Sequence, residues 1–215
     1  MKKETESKIT KKPKIAPKES LEETRFRMTK NTSMKKLASA IDEKKADTLL
    51  VPFLKIFNKK KNIFTSSSCA GRIMLLGADE YEHKMPNMFA AKWHRNVKTN
   101  EIWNVLQKDY DYPEIWFKQE SYIFHFVCKD LDVAKKVLQL KNKFGIRRGG
   151  IFTIDDGRYI IELIGSNNMS LPVKYGKKIL LTKDQIDIIV KKANQKLTKN
   201  YKILKELMKI FQKEL

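Results

Sequence analysis

This chain predicts an α+β fold, on three observations. Apolar, β-rich runs fall at 63–76, 115–117, 122–127 and 150–164, bounded by turn residues. Helical spacing of apolar residues covers 35–57 and 130–145. From Ile186 to the end no Gly or Pro interrupts the chain, which predicts one long terminal helix. At 215 residues the sequence suits one domain plus appendages, and a chain of this size buries roughly 70% of its unfolded surface without disulfides or metals. The eight glycines never adopt GxGxxG or GxxxxGK[ST] spacing, which argues against a Rossmann-type cofactor domain or a P-loop.

Residues 1–33 read as a basic disordered tail, with many charges, two prolines before Lys18 and only isolated apolar residues such as Ile9 and Ile15. The compact domain is then expected at 34–181 and a basic C-terminal helix at 182–215. Leu37, Ala40 and Ile41 mark a first helix over 35–46. Asp47 reads as the cap of a second, carrying Leu49, Leu50, Phe53, Leu54 and Phe57, with Pro52 tolerated in its early turns. Residues 63–76 make two short strands around a polar cluster, and 88–97 fits either a helix or a strand. Thr99 reads as the cap of a short helix to Leu106. The run 122–127 predicts a strand buried on both faces. Asp130 caps an amphipathic helix through Leu131, Ala134, Val137, Leu138 and Phe144, closed by Gly145. Two strands, 150–154 and 158–164, meet at Asp155-Asp156-Gly157, a hairpin signal. Thr182 and Gln185 have capping-box spacing. Val190, Leu197, Tyr201, Leu204, Met208, Phe211 and Leu215 then form a stripe, at alternating three- and four-residue steps from Leu197 on, with Asn194 and Asn200 as candidate breaks. This stripe is expected to pack on the core of a monomer; a coiled-coil dimer is the alternative.

The formal net charge is +20, and it is concentrated at the ends: residues 1–36 carry +7 and 174–215 carry +8. Basic ends around a nearly balanced middle point to a polyanion, with nucleic acid favoured over an acidic membrane. Cys69 and Cys128 are the two cysteines, far too few for a disulfide scaffold, and no apolar run has spanning length. A reduced, soluble, cytoplasmic protein with no membrane role is expected. No pair among Cys69, Cys128, His83, His94 and His125 has zinc-finger spacing, so no metal is expected.

Chemistry concentrates at Thr65-Ser66-Ser67-Ser68-Cys69-Ala70-Gly71-Arg72. Four consecutive hydroxyls make a poor core strand, because each needs a partner when buried. They suit either the rim of a ligand site or a polar turn between two strands. Gly71 permits positive φ, and Arg72 can fork onto a carboxylate or phosphate. Lys92-Trp93-His94-Arg95 interleaves an aromatic face with cations, a pattern that holds unstacked bases and also occurs on ordinary surfaces. His125 stands in the apolar run Tyr122-Ile123-Phe124-His125-Phe126-Val127, either as a satisfied core histidine or as a functional one.

Taken together, these segments resemble the tRNA wybutosine-synthesis methyltransferases that act at the third named step of that pathway. The resemblance begins at Thr65, Ser67, Ser68, Cys69, Gly71 and Arg72, and continues through Lys92-Trp93-His94-Arg95. Trp116, Lys118, Ile123, His125, Cys128 and Asp130-Leu131 follow, then Gly145, Arg147, Gly150-Ile151 and Leu171-Pro172. It spans roughly residues 35–175, with Ala70, Ala91 and Gly149 departing from the common pattern. It implies methyl transfer from S-adenosylmethionine to a ring nitrogen of the tricyclic wyosine-type base beside the anticodon of tRNA(Phe). It also implies a compact α+β fold whose sheet is mixed, curved and half-barrel-like. On this reading Thr65, Ser67, Ser68 and Arg72 grip the amino-acid end of the donor, or the carboxylate-bearing side chain of the base. His94 or His125 takes the proton, Trp93 stacks on the base, and Arg95, Arg147 and Arg148 hold the RNA. The serine-rich turn, the Trp93-His94 pair and His125 are expected to line one pocket. The alternatives are a non-catalytic RNA-binding protein, and an enzyme using the hydroxyl cluster as an anion cradle.

Overall fold

The computed structural model describes residues 19–215 apart from Glu82 and Asp156, and the patterning resolves there into five helices and nine strands. Helix α1 (Leu21–Asp42) opens on a capping box: the Ser20 hydroxyl accepts the Glu23 N–H at 3.1 Å, and the Glu23 carboxylate accepts the Ser20 N–H at 3.3 Å. Residues 21–33, expected in a disordered tail, are therefore helical, while 1–18 lie outside the described residues. Composition concealed one anchor there: Phe26 is buried edge-on against Phe64, with ring centroids 5.2 Å apart. In helix α2 (Val51–Phe57) Pro52 sits in the first turn, where a missing N–H costs nothing. Its N-cap is Leu50, not Asp47.

The first sheet lays β1 (Ile63–Cys69), β5 (Ile123–Cys128), β7 (Arg158–Ile164) and β6 (Ile151–Asp155) side by side in that order. The second lays β3 (Lys84–Trp93), β2 (Arg72–Ala78), β4 (Glu114–Glu120), β8 (Met169–Tyr175) and β9 (Lys178–Ile179) side by side. The ambiguous stretch at 88–97 is thus largely strand. Two antiparallel sheets stand where one mixed, curved sheet was expected. Short links such as those between β2 and β3 or β6 and β7 allow only reversal of direction, whereas a parallel pair needs a long crossover. The chain also leaves one sheet for the other at Ala70-Gly71 instead of curling a single sheet closed.

Helices α2 and α4 (Leu131–Lys143) cover one face of the first sheet, burying Phe57, Phe124, Phe126 and Val137. The other face is covered at one end only, where α1 brings Phe26 onto Phe64 and Val127. Strand β5 is accordingly buried on both faces only toward its end, and His125 remains half-exposed. Helix α3 (Thr99–Leu106) closes the second core; its N-cap is Lys98, and Thr99 instead donates to Asp187 at 2.5 Å.

Helix α5 (Lys183–Glu214) runs unbroken across both cores. Ile186, Val190, Ala193 and Leu197 enter the second, and Leu204, Leu207 and Phe211 the first. The two asparagines read as breaks are staples. Asn194 accepts the Val97 N–H at 3.0 Å and donates to the Val97 C=O at 2.8 Å, and Asn200 donates to the Asn167 C=O at 2.8 Å. Both hold loops against the helix without bending it.

Replacing Phe26 with Ala removes a buried ring from a helix anchored at few points, and a loss of about 3–5 kcal/mol is expected. The shift of the urea midpoint measures it, and an unchanged midpoint would return residues 21–33 to the tail. Asn194→Ala strands a backbone N–H and C=O at once and should cost about 1–3 kcal/mol by the same measurement.

Candidate functional site

Strand β1 is an edge of the first sheet, and side chains cap that edge at both ends. Asn58, just past α2, accepts the Thr65 N–H at 2.8 Å and donates to the Thr65 hydroxyl at 3.0 Å. Asp47, in the link between α1 and α2, accepts the Ala70 N–H at 2.6 Å. Residues 66–69 between them face a cleft of about 350 Å³. Its other walls are α1, the 45–47 link, the start of β2 and the end of β3. An edge strand offers backbone N–H and C=O groups to whatever lies beside it. The serine hydroxyls along this edge therefore border the cleft and not a core, so none is left buried without a partner.

The crossing between the sheets needs glycine. Gly71 has φ +98°, and a Cβ there would lie 2.8 Å from the Glu120 C=O oxygen. The Tyr201 hydroxyl, from α5, donates to the Gly71 C=O at 3.3 Å. Burial, reinforced by the nearby Asp47 and Cys69, pushes the Tyr201 phenol up to about 12, so it remains a neutral donor.

Beyond the crossing, His94 follows β3 and places Nδ1 2.5 Å from Asp47 Oδ1. The bond to Asp47, and then the one to Cys69, push the imidazole up to about 9 against the burial that would lower it. Burial drives the Asp47 carboxyl upward, yet His94 and the Ala70 N–H outweigh it and hold the group below its ordinary value. At neutral pH the pair is imidazolium and carboxylate. An Asp47 oxygen, the Cys69 sulfur and a His94 ring nitrogen all lie within 4.8 Å of one another, and each is an atom type that can ligate a metal. His94 Nδ1 is already committed to Asp47.

Arg72 donates from Nε to Glu120 at 2.9 Å and stacks its guanidinium 5.3 Å over the Phe89 ring. Among the described residues nothing accepts from its terminal nitrogens, which leaves a two-pronged donor at the cleft. Lys36, Lys45 and Lys92 add positive charge around it.

Of the residues singled out from sequence, Ser67, Ser68, Arg72 and His94 meet here. Thr65 forms part of the wall, but its hydroxyl is engaged with Asn58. The expected single pocket does not gather the rest. Trp93 pairs with Ile73 and packs on the second core, and Arg95 forks onto Glu101, with Nη2 2.6 Å from Oε1. Arg147 and Arg148 are exposed in the loop after α4. His125 stands on the open face of the first sheet, its Nε2 3.1 Å from Glu162 Oε2. Cys128 lies in the first core, where burial pushes its thiol up to about 12. Sequence reading missed Asp47, which looked like a helix cap, and the α1 wall at Ser33, Lys36 and Leu37, of which Ser33 falls in the supposed tail. No local signal marks Asp47, since both its partners are distant in sequence.

A family model described as Methyltransferase TYW3 matches residues 28–213, a wider span than 35–175, taking in α5 and part of α1. The tRNA(Phe) 7-((3-amino-3-carboxypropyl)-4-demethylwyosine(37)-N(4))-methyltransferase of Thermococcus sibiricus is 28% identical over 193 residues, covering 90% of this chain and 98% of that one. Its namesake from Methanocaldococcus jannaschii is 29% identical over 180 residues, covering 83% and 93%. A solved structure of a Pyrococcus horikoshii protein superposes with a TM-score of 0.79 at 27% identity, over 87% of this chain and 94% of that one. One of a hypothetical protein from Aeropyrum pernix gives 0.68 at 25% identity, over 79% and 99%. With a match across nearly the whole fold, cleft included, the chain belongs to the TYW3 methyltransferase family.

Proposed function

We propose that this chain methylates N4 of a 4-demethylwyosine-type base at position 37 of tRNA(Phe), in the cytoplasm, with S-adenosylmethionine as donor. The observation that carries the reading is the convergence of Ser67, Ser68, Arg72 and the His94–Asp47 pair in one cleft at the seam between the sheets. The curated relatives that match most of the chain are named for this reaction. No helix among the described residues is long and apolar enough to cross a membrane, and the net charge of +20 suits an RNA partner.

The cleft fits an amino-acid-bearing donor. Its volume falls in the range of small-molecule sites, the free prongs of Arg72 match a carboxylate, and the β1 edge and serine hydroxyls both donate and accept. Bound there, the donor supplies an activated methyl group. The chain supplies alignment and removal of one proton from the base. Asp47 occupies His94 Nδ1 and fixes the ring, so Nε2 is the nitrogen left to exchange that proton. His125 lies outside the cleft lining, which favours His94 for this role. Thr65 acts through Asn58, holding the β1 edge in position.

Purified protein incubated with donor and tRNA(Phe) from a strain lacking the enzyme should yield, after digestion, a wyosine-type nucleoside heavier by one CH2; no mass gain overturns the reading. Arg72→Ala should weaken donor binding in a calorimetric titration by about 1.5–3 kcal/mol, as expected for a bond to a charged group.

The pH dependence separates the histidines. With His94 at about 9, single-turnover methylation should rise roughly tenfold per pH unit across the neutral range and level off near that value. Asp47→Asn should bring the plateau down toward the ordinary histidine range, near 6.5. A flat profile in the wild type would remove His94 as acceptor. Stability moves oppositely. Because the folded-state value lies above the unfolded one, the pair's contribution is complete below about pH 6.5 and is lost as pH rises through about 9. The ring is 37% exposed, and solvent screening limits this to about 1–2 kcal/mol.

A further inference from the structure

The open face of the first sheet carries an arrangement that the cleft does not use. Directly opposed residues in antiparallel strands point to the same face, so Ser67, His125 and Glu162 form one row across β1, β5 and β7. Phe152, on the edge strand β6, completes it. Its ring stacks on His125 with centroids 5.7 Å apart and planes 17° from parallel, while Glu162 holds the imidazole at Nε2. Phe152 is nonetheless 67% exposed. Burying this ring does nothing for the core, yet it is held flat and outward.

The neighbouring loop is equally fixed. Lys141, itself only 3% exposed, donates to the Arg148 C=O at 3.3 Å and the Gly149 C=O at 2.8 Å. Gly149 has φ +81° and lies so close to β7 that a Cβ would fall 2.2 Å from the Glu162 C=O oxygen. A buried ammonium thus locks a turn whose two preceding residues, Arg147 and Arg148, are exposed.

Resting on the RNA reading above, we propose that Phe152, backed by His125 and Glu162, is a platform on which an unpaired base of the RNA substrate stacks, with Arg147 and Arg148 holding the phosphates beside it. A flat aromatic face flanked by arginines is how proteins hold splayed bases. The backbones of Phe152 and Ser67 are three strand spacings apart, roughly 14 Å. Although the Phe152 ring leans back onto His125, neither Phe152 nor His125 lines the cleft, so the platform and the cleft are separate places for a base. The stacked base is therefore a neighbour of the reacting one, and the platform sets which nucleotide reaches the cleft. A second copy of this chain is the less suitable occupant. The register of β6 shifts between Ile151 and Thr153, which breaks edge-to-edge pairing, and self-association would juxtapose like charges on a +20 chain.

The test is fluorescence anisotropy of the full-length protein with two RNAs, the tRNA(Phe) anticodon stem-loop and the same stem closed into an uninterrupted duplex. Phe152→Ala should weaken stem-loop binding about tenfold, within the range for loss of one stacked base, and leave duplex binding unchanged. Phe152→Trp should restore it. Equal stem-loop affinities for wild type and Phe152→Ala overturn the platform. So does a wild type that sediments as a dimer and becomes monomeric on Phe152→Ala, which would make this face a self-interface. Titration with S-adenosylmethionine alone keeps the two readings apart: no heat with the wild type, alongside a Phe152-dependent stem-loop affinity, would refute the donor cleft and support the platform.

Discussion

One carboxylate ties the molecule's seam together. Asp47 belongs to no helix or strand, yet it holds the Ala70 N–H and the His94 imidazole and so joins three segments distant in sequence. Its side chain is only 9% exposed, and a charge that far from water persists only when hydrogen-bonded and paired. Removing either partner would leave it uncompensated. The interaction that fixes the crossing between the sheets is therefore also the one that sets the charge of His94. Fold and chemistry share one carboxylate, Oδ2 holding Ala70 and Oδ1 holding His94, and disturbing one contact disturbs the other.

That seam is kept rigid from beneath. Helix α5 spans both cores on one stripe, and Tyr201, where the stripe passes from one to the other, reaches the Gly71 C=O. Three short links join the sheets, at 70–71, 121–122 and 165–168, and any swing of one sheet on the other would flex them together. A continuous helix with apolar anchors in both cores, together with the Asn194 and Asn200 staples, opposes that motion. Its many lysines face outward as a consequence, since the buried stripe consumes the apolar positions.

Much of this was legible in the residues, and the exceptions share a cause. The Thr182 capping box, the Asp130 cap, the hydroxyl cluster and the terminal stripe are local patterns, and each appears where it was read. Asp47 was misread because a carboxylate ahead of a helical run looks like a cap, and its true partners lie beside Ala70 and His94. Residues 21–33 looked disordered because a helix held by Phe26, at a site completed by Phe64 and Val127, needs little apolar content of its own. The mixed, curved sheet came from family likeness and not from the chain's own links, which are short and enforce antiparallel pairing. The apolar run around His125 left it either a core histidine or a functional one, and the family likeness alone suggested catalysis; alternation places it on the face that α1 leaves open.

On the reading proposed above, the edge and the open face of the first sheet divide the work. Donor recognition needs enclosure and convergent polar groups, which an edge strand supplies once a helix is laid alongside it; α1 does so at Ser33 and Lys36. RNA recognition needs the opposite, a broad face open enough for nucleotides to lie across it, and the outer face past the reach of α1 has that character. Ser67 belongs to both, as a cleft residue and as the first member of the row leading to Phe152. A base held at the cleft and its neighbour held at the platform would then be fixed by one rigid sheet, and selection of the target nucleotide would follow from the strand spacing between them.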